Sequence, residues 1–258
     1  MDDLLYEVTD GIGRITINRP ESRNAFKLAM YAELARICRE VRTDGSVKAI
    51  IIQGAGDRAF AAGTDMTEFR GFSTPQDALD YEENMDRVLG DVERCPVPTI
   101  AAITGACTGG GAAIAAACDI RICDARLKWG FPIARTLGNC LSIGNLARLS
   151  VLVGQGRLRE ILFTARLIEA EEAMRIGLVS ETHETAEAVR ARAGEIAETL
   201  KGHAPLTMRA TKEAMRRLRT LGPDADDSDL VTLCYMSADF RNGMEAFLAK
   251  QKPDWRGE

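Results

Sequence analysis

Histidine is the scarcest chemistry-bearing residue in this chain, with only His183 and His203 among 258 residues. Both sit in polar surroundings and read as surface residues, which argues against a Ser-His-Asp triad or a His-rich metal site. The seven cysteines include no C-x-x-C pair, and no apolar signal-like run follows Met1. Reduced thiols in a cytoplasmic protein are the expectation. No run approaches the roughly 18 apolar residues of a membrane span. Positive charge is not in excess either: the net charge is −5, which excludes a nucleic-acid binder with a wholly basic surface. No G-x-x-x-x-G-K-[ST] loop occurs. Gly109-x-Gly111 meets Ile114, and Gly11-x-Gly13 meets Thr16, where G-x-G-x-x-G needs glycine.

What remains is an ordinary globular composition, 46% hydrophobic and 28% charged, long enough to bury a sizeable core. Leu4 to Val8 and Arg14 to Asn18 read as strands around a Gly11–Gly13 turn. A helix from about Lys27 to Val41, a strand from Val47 to Gln53, and a helix from Pro75 to about Arg94 follow. Later come a short strand at Arg126 to Trp129 and helices at Arg157 to Thr164 and Glu169 to Ile176. Strand and helix alternate through two-thirds of the chain, which predicts an α/β fold. Beyond about Glu184 the pattern turns helical throughout. Val189, Ala193, Ile196 and Leu200 make one apolar stripe, and Asp226 to Phe240 reads as a single helix. Such a tail either docks and oligomerises or packs on its own core. Arg209, Lys212, Arg216, Arg217 and Arg219 form a basic face that is either solvated or ready for an anion.

The stretch from Val97 to Ile122 is the most informative. An apolar strand runs into Gly105, Gly109, Gly110 and Gly111, and a small-residue helix follows from Ala112 to Ala117. Glycines ahead of a helix let bare backbone approach a ligand and point amide N–H groups, at the positive end of the dipole, toward an oxygen. The same glycines could instead serve only close packing. A second small-residue turn, Phe60-Ala61-Ala62-Gly63-Thr64-Asp65-Met66, lies upstream.

Together these two turns resemble the crotonase (enoyl-CoA hydratase/isomerase) superfamily. So do Asn18-Arg19-Pro20 with Asn24-Ala25, the segment from Phe163 to Val179, and the tail from Glu245 to Pro253. The resemblance covers essentially the whole chain. It implies an α/β core of repeated ββα turns in a spiral, over residues 1–195, and a helical region, 196–258, that trimerises and covers the CoA site. It also implies an acyl-CoA thioester as substrate, a homotrimer or a hexamer as a dimer of trimers, and no metal or redox cofactor; the charge and the short apolar runs add the expectation of no nucleic acid and no membrane. An oxyanion hole falls on the backbone amides of Thr64 and Gly110. CoA contacts fall on Ala25, Ala61, Ala62, Asp65 and Met66, with Phe247 and Lys250 approaching across a subunit boundary.

The acid/base positions depart from that pattern. A family hydratase carries glutamates where this chain has Ala113 and Ile133, and some isomerases and dehalogenases are acidic where it has Leu141. Alanine and isoleucine can neither hold water nor move a proton. Three readings follow. A replacement group enters, with Asp65, Glu68, Arg135, Asn139 and Cys140 as candidates. Or the reaction, such as decarboxylation of a malonyl-type thioester, needs no general base. Or the protein binds acyl-CoA without turnover. Residue-type preferences compete with the first reading: a cap for Asp65 and Asn139, a solvated carboxylate for Glu68, a salt bridge for Arg135 and a small core residue for Cys140.

Overall fold

The computed structural model describes residues 2–258. The chain opens with a hairpin, β1 (Leu4–Thr9) and β2 (Ile12–Ile17), turned by Asp10 and Gly11, both with positive φ. Helix α1 (Leu28–Glu40) then returns the chain to β3 (Ala49–Gly54) and β4 (Ala59–Ala61). A 3-10 turn, Met66–Gly71, leads to α2 (Pro75–Glu93), whose start is set by the Thr74 and Asp77 capping box with Pro75 in the first turn. The same strand–strand–helix order recurs as β5 (Thr99–Ile103), β6 (Ala106–Thr108) and α3 (Gly110–Ala117), and again as β7 (Ile120–Asp124), β8 (Lys128–Gly130) and α4 (Ile133–Thr136). Helices α5 (Ile143–Val153) and α6 (Gln155–Thr164), strand β9 (Ile168–Glu169), α7 (Ala170–Arg175) and β10 (Glu181–His183) complete the mixed part. Helices α8 (Ala186–Lys201), α9 (Pro205–Leu221), α10 (Ser228–Tyr235) and α11 (Ala238–Leu248) end the chain.

Each repeat sends one strand to each of two sheets. The larger sheet has the order β1-β2-β3-β5-β7-β10 and the smaller β4-β6-β8-β9. Apart from the hairpin and the β8–β9 pair, the ladders are parallel. A parallel sheet is covered on both faces, so its strands lose alternation. Ile50, Ile51 and Ile52 are accordingly all buried. Ile50 and Ile52 face the main core with Leu34, Leu89 and Ile103, whereas Ile51 faces Ile100, Ile122, Val189, Ala193 and Ala197. The apolar stripe of α8 therefore packs on its own sheet, and the boundary at 195/196 falls inside this helix.

The segment read as one helix from Asp226 to Phe240 is two. Ser237 breaks it: its hydroxyl donates to the Cys234 carbonyl and accepts from the Phe240 amide, capping α11. Cys140, a candidate replacement group whose residue type favours the core, is neither in the core nor on the cavity described below: it is exposed, because residues 137–140 run along the surface between α4 and α5. The basic face on α9 is largely neutralised. Lys212 pairs with Asp119, Arg216 and Arg217 with Glu213, Arg217 also with Asp229, and Arg219 with Glu93. No helix among the described residues is long and apolar enough to cross a membrane.

Asn24 ties the first turn to the sheet. It is buried and has positive φ, accepts from the Arg19 amide at 3.0 Å, and donates to the Ala55 and Ala59 carbonyls at 3.0 and 2.7 Å. Asn24→Ala leaves these buried groups unpaired and puts a Cβ-only residue in the left-handed region. We expect a loss of about 3 kcal/mol or more, read as a lower urea midpoint at unchanged m.

Candidate active site

Two turns meet at one point. Gly63 and Gly109 both adopt positive φ, and a Cβ added to Gly109 would lie 3.5 Å from the Gly63 Cα. On Gly63 it would lie 3.3 Å from the Thr108 carbonyl and 3.7 Å from the Gly110 amide nitrogen. Gly111 approaches still closer, against the Ala61 carbonyl and Cβ. At Gly111 only bare backbone allows this approach, whereas at Gly63 and Gly109 it is the positive φ that favours glycine.

The approach has a chemical consequence. Thr64 pairs with Phe26 in an isolated parallel bridge: the Phe26 amide donates to Gly63 and the Asp65 amide donates to Phe26, each at 2.8 Å. Both flanking peptides turn toward Phe26, so the Thr64 N–H faces the other way. Gly110 is the first residue of α3, where an amide has no acceptor within its own helix. Among the described residues neither amide has an acceptor in the chain. Thr64 and Gly110 line one cavity of about 390 Å³, with Ala62, Gly63, Thr108 and Gly109 beside them.

Side chains lock this arrangement. The Thr64 hydroxyl lies 2.9 Å from the Tyr31 hydroxyl and 2.7 Å from that of Tyr81, hydrogen-bonded to each. Tyr31 is fully buried and stacks on Phe26 at 4.5 Å. Burial pushes its phenol well above the ordinary range, so it stays a neutral donor and acceptor. Tyr81 is held edge-on by Phe69 and Phe72, at 5.0 and 5.9 Å. The Thr64 side chain, which an oxyanion role leaves unspecified, thus joins α1 to α2.

The cavity also contains all three positions where acidic residues were sought. Ala113, Ile133 and Leu141 line it, with Met66, Met85, Phe131 and Leu137 adding apolar wall. The proposed replacements fare unevenly. Asp65 caps the 3-10 turn, accepting from the Thr67 amide and hydroxyl, and pairs with Arg19 at 3.0 Å. These bonds, Thr67's first, hold its carboxyl down at about 2, and it lies outside the cavity. Glu68 accepts from the Leu28 amide at the start of α1. Arg135 is exposed, with no ion pair among the described residues. Asn139 borders the cavity but caps nothing, since Ser142 is the cap of α5.

Two lining groups escaped the sequence reading. Glu82 on α2 is the only carboxylate among the residues lining the cavity, and Asn145 on α5 presents a buried Oδ1 without a partner. The signal for them was weak. Tyr81 and Met85 share a face of α2 at i, i+4 spacing, and Glu82 stands at that face's edge. Of the expected CoA contacts, Ala62 and Met66 line the cavity, and Ala61 is buried under Gly111. The Ala25 carbonyl accepts from Arg19. Phe247 is 82% exposed at the end of α11 and Lys250 follows it with positive φ, both away from this cavity within the single chain.

Comparison with known proteins matches residues 7–258 to the enoyl-CoA hydratase/isomerase family model. The chain is 33% identical to the short-chain-enoyl-CoA hydratase of Clostridium acetobutylicum, over 98% of this chain and 97% of that one. It is 31% identical to the crotonyl-CoA hydratase of Syntrophomonas wolfei, over 98% of each. A crystal structure of an enoyl-CoA hydratase/carnithine racemase from Magnetospirillum magneticum superposes with a TM-score of 0.91. Identity to it is 32%, covering 100% of this chain and 97% of that one.

The closeness of Gly110 to Tyr31 is testable. A Cβ at residue 110 would overlap the Tyr31 hydroxyl and lie 3.1 Å from its Cζ. Gly110→Ala should therefore cost about 1–3 kcal/mol as overpacking. Adding Tyr31→Phe should recover part of that loss. The two changes are then non-additive in a double-mutant cycle, measured by urea denaturation.

Proposed function

The chain belongs to the enoyl-CoA hydratase/isomerase family, and from that premise we propose that it is an acyl-CoA enzyme working through an oxyanion-stabilised enolate. The observation that carries this reading is the pair of unpaired amides, Thr64 and Gly110, on one mostly apolar cavity. As charge builds on a thioester oxygen, preorganised donors with little competing water stabilise it. One such donor is typically worth about 3–4 kcal/mol. The positive end of α3 adds to the same field, since Gly110 is its first residue. Coenzyme A enters as part of the substrate, with no further cofactor.

Efficient hydration is not part of this reading. Water addition needs groups that hold the water and deliver a proton, and Ala113 and Ile133 offer neither. The subunits associate as trimers, or as hexamers built from them. Support lies in apolar side chains exposed along the last helices: Met215 and Leu221 on α9, Tyr235 on α10, and Met244, Phe247 and Leu248 on α11. Light scattering coupled to gel filtration reads this directly, and a monomer at micromolar concentration overturns it.

The enolate claim is tested with acetoacetyl-CoA, whose enolate absorbs in the near ultraviolet. Bound protein should raise the enolate fraction at a pH where the free thioester is mostly in its keto form. Binding with no spectral change overturns the oxyanion role, and no binding overturns the acyl-CoA reading. With a short trans-2-enoyl-CoA, hydration should fall below the ordinary range of about 1–1000 per second. The double change Ala113→Glu and Ile133→Glu should raise it. Ordinary turnover by the unaltered protein overturns the significance given to those two positions.

A further inference from the structure

We infer that Glu82 is the catalytic acid/base of this site, taking the α-proton of the bound thioester and returning it, in place of the glutamates absent at 113 and 133. The inference rests on the acyl-CoA reading above and adds the proton-transfer group that the reading lacks.

Four observations converge on it. Among the described residues Glu82 is the only carboxylate lining the cavity that Thr64 and Gly110 also line. Its neighbour Tyr81 is fastened to the Thr64 hydroxyl at 2.7 Å, so this turn of α2 is tied to the residue that supplies one of the two amides. The opposite wall is fixed as well. Ser142 and Arg148 of α5 donate to Asp86, one turn after Glu82, at 2.9 and 3.1 Å. Gly144 permits that approach, since a Cβ there would lie 2.7 Å from the Asp86 carboxylate. Finally, Asn145 of α5 lines the same cavity with a buried Oδ1 that no group of the protein satisfies, and the residue is only 7% exposed. A buried acceptor without a donor marks a wall built to meet a polar ligand group.

The electrostatics agree with the geometry. Burial raises the Glu82 carboxyl above its ordinary range, the Ser142 amide draws it back, and the Asp86 carboxylate raises it further. Arg148, the cation on the facing helix, is engaged by Asp86 and Glu93. Glu82 is therefore a better base than a solvated carboxylate.

The step balances without a co-reactant. The Glu82 carboxylate takes the proton from the carbon next to the thioester carbonyl. The C–H electron pair becomes the new C=C bond, and the carbonyl π pair moves to the oxygen held by the Thr64 and Gly110 amides. Protonated Glu82 then gives the proton back, to the same carbon or to the far end of a conjugated system.

The test is deuterium uptake from D2O into but-3-enoyl-CoA, read by mass spectrometry. Its α-hydrogens are activated by both the carbonyl and the vinyl group. The unaltered protein should incorporate deuterium. Glu82→Gln should slow incorporation about 10²- to 10⁴-fold, the usual contribution of a positioned general base. Glu82→Asp should retain part of the rate. Glu82→Gln must still raise the acetoacetyl-CoA enolate signal, which shows that its fold and oxyanion site are intact. If that signal is lost, Glu82 is structural and the inference falls. Incorporation by Glu82→Gln at the unaltered rate, or none by the unaltered protein despite a normal enolate signal, also overturns it. Either result leaves the acyl-CoA reading standing, whereas that reading fails if the unaltered protein does not bind acetoacetyl-CoA.

Discussion

The contact between Gly63 and Gly109 is the constraint on which the rest depends. The two residues belong to different repeats of the spiral, at the ends of β4 and β6, strands that are neighbours in the small sheet. Each repeat brings its chain to the same edge, and there the backbones meet without side chains between them. At 63 and 109 the positive φ disfavours any side chain, and at 63 a Cβ would also press on the Thr108 carbonyl. The result is a pair of amides whose hydrogen-bonding directions are set by the ladders and the helix behind them. Donors fixed in this way reorganise little as charge develops, which is why such sites stabilise an oxyanion better than water does.

Around that contact the protein spends aromatic residues on rigidity. Aromatics are only 5% of the chain. Yet Phe26, Tyr31, Phe69, Phe72 and Tyr81 all gather within two residues' reach of Thr64, joined by ring contacts and the shared hydroxyl. A phenol–threonine–phenol chain is uncharged, so it can fix α1 and α2 to the turn without competing for the enolate's negative charge. Arginine would have set a permanent cation in the same space. The pair of Arg19 with Asp65, next to Thr64 in the chain, lies outside the cavity.

The parts of the site made from backbone were legible in the sequence, because glycine runs announce where backbone must do the work. Local composition and order marked the two glycine turns and the alternation of strand and helix, whereas the repeat pattern and the positions of Thr64, Gly110, Ala113, Ile133 and Leu141, all on the cavity, came with the family resemblance. Side chains delivered by helices were not legible. Glu82 reads like Glu83 beside it, and only the packing of α2 on α1 and α3 decides that one borders the cavity and the other is exposed. Cys140 shows the same limit in reverse: a residue type that favours interiors lies on a surface connection. The split between α10 and α11 depended on one hydroxyl, Ser237, in a stretch whose periodicity suits a continuous helix.

Ala113 and Ile133 put no acidic side chain on the cavity wall, and on the proposed reading this has a consequence for Glu82, the carboxylate that lines it. Removing charged neighbours makes the cavity drier, and a drier cavity strengthens both the amide–oxyanion attraction and the cost of holding any ion. A single carboxylate in that setting is best relieved by accepting a proton. An enolate is best accommodated when no other anion shares the space. Proton transfer from the thioester to Glu82 meets both conditions together: one negative charge leaves the carboxylate as one arrives at the oxygen facing Thr64 and Gly110. Charge is moved across the cavity and none is created. A second glutamate on the wall would have kept an anion there throughout, opposing the enolate. On the proposed reading, the apolar residues at 113 and 133 and the single lining glutamate are therefore two aspects of one electrostatic arrangement, suited to shuttling a proton within the substrate more than to adding water across its double bond.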